Sequence, residues 1–477
     1  MLSFFVMNKG AGNIFLNFKN SLSVISNVSK IRNYMIKYSY NMKDDAYPKF
    51  LLSSAQILRL IFRMVRQINQ NLGKISCETA FIAASIAKSL PAEKKISQKD
   101  AVLLSLFHLF GFLHFFGEEA VRLSELTQEE IYHSFLYGYY YLKEMSPLGE
   151  NAKTLLFYDK KYDKKYDKNL AAKIPQVEYA SLIFTAQSIQ SLLADTKGNY
   201  FTSDFQKYGF SKFNQFYLLI FRQLDIDKVI SKKIIYDSFQ QDMEGLFDSF
   251  EFSEEETSQL FKLMIYLIDF KSTQTVQHII HTACYAVSIG KLKGLPQPQL
   301  DELFTAGILH DLGKIEIPNM ILESPGRLSA FEYRVMKTHV EKTETILRNI
   351  VPEKIIKIAV HHHEKLNGMG YPERLFASAL SEQDRILTVA DIFSALVDKR
   401  SYKEKFDKEN IIEIYKKMAN DGEIEKGVPD FIQKNYSIFE KDREHYAFMF
   451  GVPLGMVEVQ YQEEISSELQ ESEIMEV

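Results

Sequence analysis

Apolar residues recur at helical spacing almost throughout this chain, which predicts an all-α protein. Between Phe331 and Ile350 the positions Val335, His339, Thr343 and Ile346 or Leu347 share one face, so His339 points toward an interior. Ile355, Ile358, Ala359 and His362 repeat the pattern on the next helix. That helix must stop at Asn367-Gly368, and Gly370 with Pro372 holds an irregular loop beyond it. From Arg385 to Val397 the face carrying Leu387 also carries Asp391, Ser394 and Ala395. The most apolar stretch, Ala101 to Phe116, spans 16 residues and contains His108 and His114, which favours a buried core helix over a membrane span. More helical sequence runs from Lys197 to Phe270, with an acidic run at Glu251 and Glu254 to Glu256. The acidic stretch from Gln462 to Val477 reads as a frayed helix or tail.

Composition agrees with that pattern. Only 21 glycines and 12 prolines in 477 residues leave few turns and argue for long helices. The length exceeds one ordinary core and predicts two or three domains. A net charge of -5 gives no basic field for nucleic acid, so no nucleic-acid partner is expected. The two cysteines, Cys77 and Cys284, are far apart, so a disulfide framework is not expected and a reducing compartment fits. With no convincing membrane span or signal peptide, the expected location is cytoplasmic.

Landmarks recur at nearly constant offset. Glu78 to Lys88 echoes His281 to Lys291 at 203, and Leu106 to Gly111 lies under Ile308 to Gly313 at 202. His133 falls under His339 at 206, and Ala186-Gln187 under Ala390-Asp391 at 204. Such an offset predicts a duplicated fold. The first copy has lost the acidic chemistry, with Leu109 for Asp311, Phe112 for Lys314 and Gln187 for Asp391. His108 and His133 remain, and without a carboxylate they are read as structural. In place of a glycine-rich loop the first copy has a charged low-complexity run from Tyr158 to Lys168, read as a solvated loop or helix face.

The second copy gathers histidines and carboxylates. Seven of the 11 histidines lie between His278 and His363. Imidazoles supply neutral donors and a carboxylate can bridge two cations, so histidines and an aspartate drawn from several helices predict a multinuclear metal site. The ordered blocks are Asp269-Phe-Lys-Ser before His278, His310-Asp311-Leu-Gly-Lys314-Ile-Glu-Ile-Pro318, Pro325-Gly-Arg-Leu-Ser329, and His339. They continue with His362-His363-Glu364-Lys365, Gly368-Met-Gly-Tyr-Pro372, Arg385 to Leu396, and Arg400-Ser-Tyr402-Lys403. This set, from about residue 265 to 405, resembles the HD-GYP subfamily of HD-domain phosphohydrolases.

The resemblance implies tandem HD-type helical domains. An N-terminal extension would occupy 1–50, a degenerate HD-like domain 51–196, a helical connector 197–264, the HD-GYP domain 265–455 and an acidic tail 456–477. It implies a metal-dependent phosphodiesterase that hydrolyses cyclic di-GMP to pGpG or GMP. The implied metal ligands are His278, His310, Asp311, His339, His362, His363 and Asp391, with Asp311 bridging. His281, one turn beyond His278, is an alternative ligand, and His361 is an extra histidine beside the pair. Lys314 would act in catalysis or on a phosphate oxygen, Arg400 and Lys403 would meet substrate phosphates, and Tyr371 would pack on a guanine or shape the loop. Two divalent ions are implied, iron or manganese first, with zinc or nickel also suited to the donors. A diguanylate cyclase docking through the Gly-Tyr-Pro loop and a homodimer are the partners the family would suggest.

Several positions depart from the family. Gln274 stands where members with a third metal carry glutamate, which favours a binuclear site. Asn367 replaces an aspartate, Glu316 and Asn319 replace a glycine and an aspartate, and Ser401 replaces a proline. Asn367 removes a charge near the loop and bears on rate and partner recognition more than on metal. Two other readings stay open, a non-catalytic cyclic di-GMP sensor and a phosphohydrolase of another cyclic dinucleotide or nucleotide.

Overall fold

A computed structural model describes residues 48–91, 93–94, 96–117, 123–157, 174–201, 204–205, 215–268, 271, 273–324, 326–397, 406–442, 457 and 460–465. The Tyr158 to Lys168 run, Asp269, Arg400, Lys403 and most of the acidic tail lie outside them, as does the side chain of Gln274. Among the described residues there are helices and 3-10 turns but no strand, and the one isolated bridge joins Asn367 to Phe376. The all-α expectation holds. Residues Pro48 to Leu454 form one compact unit.

Helices begin where the sequence supplies caps. Ser53, Thr127, Ser253 and Ser329 each accept the backbone N–H three residues on, while Gln56, Glu130, Glu256 and Glu332 reach back to the cap N–H. Each reciprocal pair satisfies two donors that a helix start leaves orphaned.

The first half contains α1 (Ser54–Ile68), α2 (Gln70–Lys88), α3 (Gln98–Phe107), α4 (Phe110–Phe116), α5 (Gln128–Met145) and α6 (Pro175–Thr196). Shorter helices follow as α7 (Gln215–Leu224), α8 (Val229–Ile235) and α9 (Gln240–Phe247), then α10 (Glu254–Leu267). The second half contains α11 (Thr273–Leu292), α12 (Gln297–Leu309), a 3-10 turn (Leu312–Glu316) and α13 (Asn319–Leu322). It continues with α14 (Ala330–Lys337), α15 (His339–Leu347), α16 (Glu353–Val360), α17 (Glu382–Val397) and α18 (Lys408–Asn420). In the first half α2 packs on α3 and α6, and α4 on α5. In the second, α11 packs on α12 and α17, and α15 on the turn Leu312–Glu316.

The long apolar stretch breaks at His108 and Leu109 into α3 and α4. Gln98–Phe116 is long and apolar enough to cross a membrane, yet 72% of it is buried inside the protein, as a core helix requires. Cys77 and Cys284 are buried free thiols.

Glycine sets the closest helix contact. A Cβ on Gly313 would lie 2.0 Å from the His339 carbonyl oxygen and 2.5 Å from the Thr343 nitrogen. A Cβ on Gly111 would lie 1.7 Å from the Ser134 carbonyl oxygen and 2.9 Å from the Gly138 nitrogen. The two contacts match residue for residue, which puts Ser134, not His133, opposite His339. The sequence offset was one residue out there, and one residue turns a helical side chain by about 100°. His133 is instead half-buried, 4.0 Å from Glu129.

Helix α1 packs against α15 and the Leu312–Glu316 turn. Arg63 donates to the carbonyls of Ile346 (2.9 Å) and Arg348 (2.8 Å) and pairs with Glu244 at 3.1 Å. A guanidinium there satisfies carbonyls that the end of α15 leaves unpaired.

Gly313→Ala should force α15 away from the turn at a cost of roughly 1–3 kcal/mol or more. Thermal unfolding should show a lower midpoint, and an unchanged midpoint would contradict the close approach.

Candidate metal centre

Three histidines of the second half stand just past the end of a helix. His310 follows α12, His339 follows α14, and His362 follows α16 after His361. The last turn of a helix leaves carbonyls without a partner. Each ring uses one of them: Nδ1 lies 2.7 Å from Gly307 O in His310, 2.6 Å from Met336 O in His339 and 2.6 Å from Ala359 O in His362. A carbonyl only accepts, so Nδ1 carries a proton and Nε2 is turned inward. Hydrogen bonding of this kind orients an imidazole for a metal. His278, on α11, places Nδ1 3.0 Å from Ser394 Oγ instead.

The Nε2 atoms converge on Asp311, which is 1% exposed. Its Oδ2 lies 3.2 Å from His310 Nε2 and 3.7 Å from His278 Nε2. Its Oδ1 lies 3.3 Å from His339 Nε2 and 3.8 Å from His362 Nε2. One carboxylate thus divides its oxygens between two groups of imidazoles. Asp391 faces the same space, with Oδ1 2.9 Å from His278 Nε2 and Oδ2 3.9 Å from His363 Nδ1. Two sets of donor atoms could each hold an ion, His278 with His310 and Asp311, and His339 with His362 and His363. Buried His310 Nε2 and Asp311 Oδ1 have no well-placed hydrogen-bond partner, so the pocket is electrostatically incomplete without a further charge.

Charge states fit a cation. Burial pushes His339 down to about 4 and His363 to about 3, so both are neutral donors at neutral pH. Burial would raise Asp311, but Lys314 and His310 hold it well below the usual carboxylate range. Burial likewise opposes the charge of Asp391, and His278 and His310 keep it ionised. His310 departs from its fellow histidines. Burial disfavours its charge, yet Asp311 and Asp391 push it up to about 10, and an arriving metal ion would displace that proton.

All seven implied ligands therefore meet. His281 lies one turn farther along α11, toward Tyr285, and belongs to neither donor set. His361 turns to Asp384 at 3.4 Å and Glu373 at 3.5 Å. Lys314 pairs with Asp311. Tyr371 lies against His363, with ring centroids 4.7 Å apart and planes 30° apart, and the Tyr371-Pro372 peptide is cis.

The loop bearing Tyr371 is held by Glu364, Gly370 and Asn367, of which Glu364 has no role assigned from the sequence. Buried Glu364 accepts N–H bonds from Glu373 (2.7 Å), Arg374 (3.0 Å) and Leu375 (2.9 Å). A Cβ on Gly370 would meet Glu364 Cα and Lys365 N at 2.5 Å, so the chain can fold back only with glycine there. Asn367 accepts from the Met369 N–H at 3.0 Å and donates Nδ2 to the Asp421 carbonyl at 3.0 Å. The aspartate expected at this position could make the first contact but not the second. Thr343, on the same helical face as His339, has a role the pattern did not show. It accepts from Gly313 N at 2.8 Å and donates to His310 O at 3.1 Å, tying the metal turn to α15.

Residues 262–426 match the family model described as HD domain. This region of the chain is an HD domain. It is 38% identical over 149 residues to the 3'3'-cGAMP-specific phosphodiesterase 2 of Vibrio cholerae, covering 31% of this chain and 28% of that protein. Phosphodiesterase 1 of the same specificity and organism is 31% identical over 182 residues, 38% of this chain and 42% of its own length. A cyclic di-GMP phosphodiesterase of Pseudomonas aeruginosa is 30% identical over 147 residues, 30% of this chain and 35% of its own length. The chain therefore spans less than half the length of each of these relatives.

Asn367→Asp should replace the donor to Asp421 with a repelling carboxylate. Hydrogen exchange at the Leu366 and Met369 amides should speed up by roughly fivefold or more, for a loss of about 1 kcal/mol, with metal content unchanged. Unchanged exchange would show that the amide does not hold the loop.

Proposed function

We propose that this HD domain is a metal-dependent phosphodiesterase acting on cyclic dinucleotides. The observation that carries the reading is the buried Asp311 carboxylate, whose two oxygens face two separate groups of imidazole nitrogens. In this reading His278, His310, His339, His362, His363 and Asp391 hold two divalent ions with Asp311 between them. Iron or manganese suits the imidazole-rich donors best, with zinc or nickel as further candidates. Bound there, two cations supply a water of lowered pKa and neutralise charge building on the phosphoryl oxygens.

The chain's own groups do the remaining work. Lys314, ion-paired with Asp311, places a positive charge beside the reacting phosphate. Tyr371 offers its ring beside His363 and narrows the site there. Arg400 and Lys403 are assigned to substrate phosphates from the sequence motif. Cyclic di-GMP is the leading substrate, with pGpG or GMP as product. The names of the Vibrio cholerae relatives favour 3'3'-cGAMP as the second reading.

We assign residues 51–196 to a degenerate copy of the same fold. His108 Nδ1 sits 2.6 Å from Ser105 O, as His310 sits on Gly307, and Gln187 approaches the buried ring where Asp391 approaches His310. Burial holds His108 at about 4, and with leucine at 109 and an amide at 187 no carboxylate remains there to balance a cation.

Anaerobic purification with elemental analysis, followed by chromatography of products from cyclic di-GMP and 3'3'-cGAMP, tests the assignment. About two metal ions per chain with turnover is the expected result. Metal with tight binding and no turnover would replace the enzyme with a sensor. Asp311→Asn should lower metal content and abolish hydrolysis together. If that variant kept both ions and full activity, the shared carboxylate would not be the organising ligand. His108→Ala should leave metal content unchanged, and loss of metal would remove the degenerate-copy assignment.

A further inference from the structure

Lys337 closes α14, two residues before His339, and the carbonyl of its neighbour Met336 takes the His339 Nδ1–H. The turn that aims His339 therefore also fixes where this ammonium stands. Lys337 Nζ lies 4.9 Å from the Tyr333 ring centroid and 5.0 Å from that of Tyr371. Tyr371 in turn rests on His363, whose side chain, at 28% exposure, opens to solvent while those of His310, His339 and His362 are at 1% or less. Lys337 thus stands at the mouth of the centre, one aromatic ring away from it.

Its charge is poorly balanced. Among the described residues Lys337 forms no ion pair, and Glu332, on the same helix, is engaged in the helix cap. Two ring faces compensate a partly buried ammonium only in part. Lys314, by contrast, is already paired with Asp311 inside the centre.

We propose that Lys337 binds the second phosphate of the cyclic dinucleotide, the one not undergoing hydrolysis, with Tyr333 and Tyr371 as the aromatic walls of that subsite. The inference rests on the phosphodiesterase reading. A cyclic dinucleotide carries two phosphodiester anions in one ring, so seating one at the metal centre brings the other to the rim. An ammonium without a carboxylate partner there pairs with it at little desolvation cost.

The test compares the full chain and Lys337→Gln, both loaded with manganese, on cyclic di-GMP and on bis(p-nitrophenyl) phosphate, a diester with one phosphate. Lys337→Gln should raise KM for cyclic di-GMP by roughly 10- to 100-fold, with kcat changed less than about twofold. Metal content and the rate on the one-phosphate diester should stay as in wild type, and Lys337→Arg should recover most of the affinity. An unchanged KM, or an equal loss on both substrates, overturns the assignment. Calorimetric binding of cyclic di-GMP keeps the two readings apart. If wild type binds without turnover and Lys337→Gln binds more weakly, the subsite stands and the enzyme reading falls. Equal affinity of the two proteins removes the subsite, and a wild type that neither binds nor cleaves removes both.

Discussion

A carboxylate removed from water, with imidazoles on both sides of it, is the constraint on which the HD domain depends. Isolated burial of Asp311 would cost several kcal/mol. The chain offsets it with the Lys314 ammonium and a ring of nitrogens, and still leaves Oδ1 without a well-placed partner. A core built for stability alone would fill that space with apolar groups. That residual imbalance suits the site to a cation, and burial holds His339 and His363 neutral so that their lone pairs stay available.

Helix ends deliver those lone pairs. A histidine within a helix would find the carbonyl of its own turn already bonded. Placed one or two residues past the helix end, it meets a last-turn carbonyl at the i−3 position, and that contact selects the tautomer and the ring direction together. The chain uses this arrangement at His310, His339 and His362, and again at His108. The breaks after α12, α14 and α16 follow from that geometry, since each puts a ring where it must stand.

The helical class was legible because helix periodicity is local and strong. The faces carrying His339 and Asp391 were legible for the same reason. The preference for His278 over His281 came from the resemblance alone, since both lie on α11, and in the structure it is His278 that Asp391 and Ser394 of α17 approach. The one-residue slip at His133 has the same root: similarity of residue type drew it toward His339, while the close packing of Gly111 fixes Ser134 there. The roles of Glu364 and Thr343 were hidden because their partners are backbone groups, which leave no mark in the residue pattern. Arg400 and Lys403, outside the described residues, keep only their sequence argument.

The first half shows what the second requires. Both place a histidine past a helix end, with Nδ1 on the i−3 carbonyl, and both bring the residue some 204 positions apart on the last long helix toward that ring. In the second half that residue is Asp391 and an aspartate adjoins the histidine. In the first it is Gln187 and the neighbour is Leu109. The same backbone contact is therefore present without the charge. An amide can orient a neutral imidazole, but its hydrogen bond is outweighed by burial and it cannot balance a divalent ion, so His108 falls to about 4 where the carboxylates beside His310 raise it to about 10. Two carboxylates, more than any difference in helix geometry, separate a packed core from a candidate metal centre in this chain.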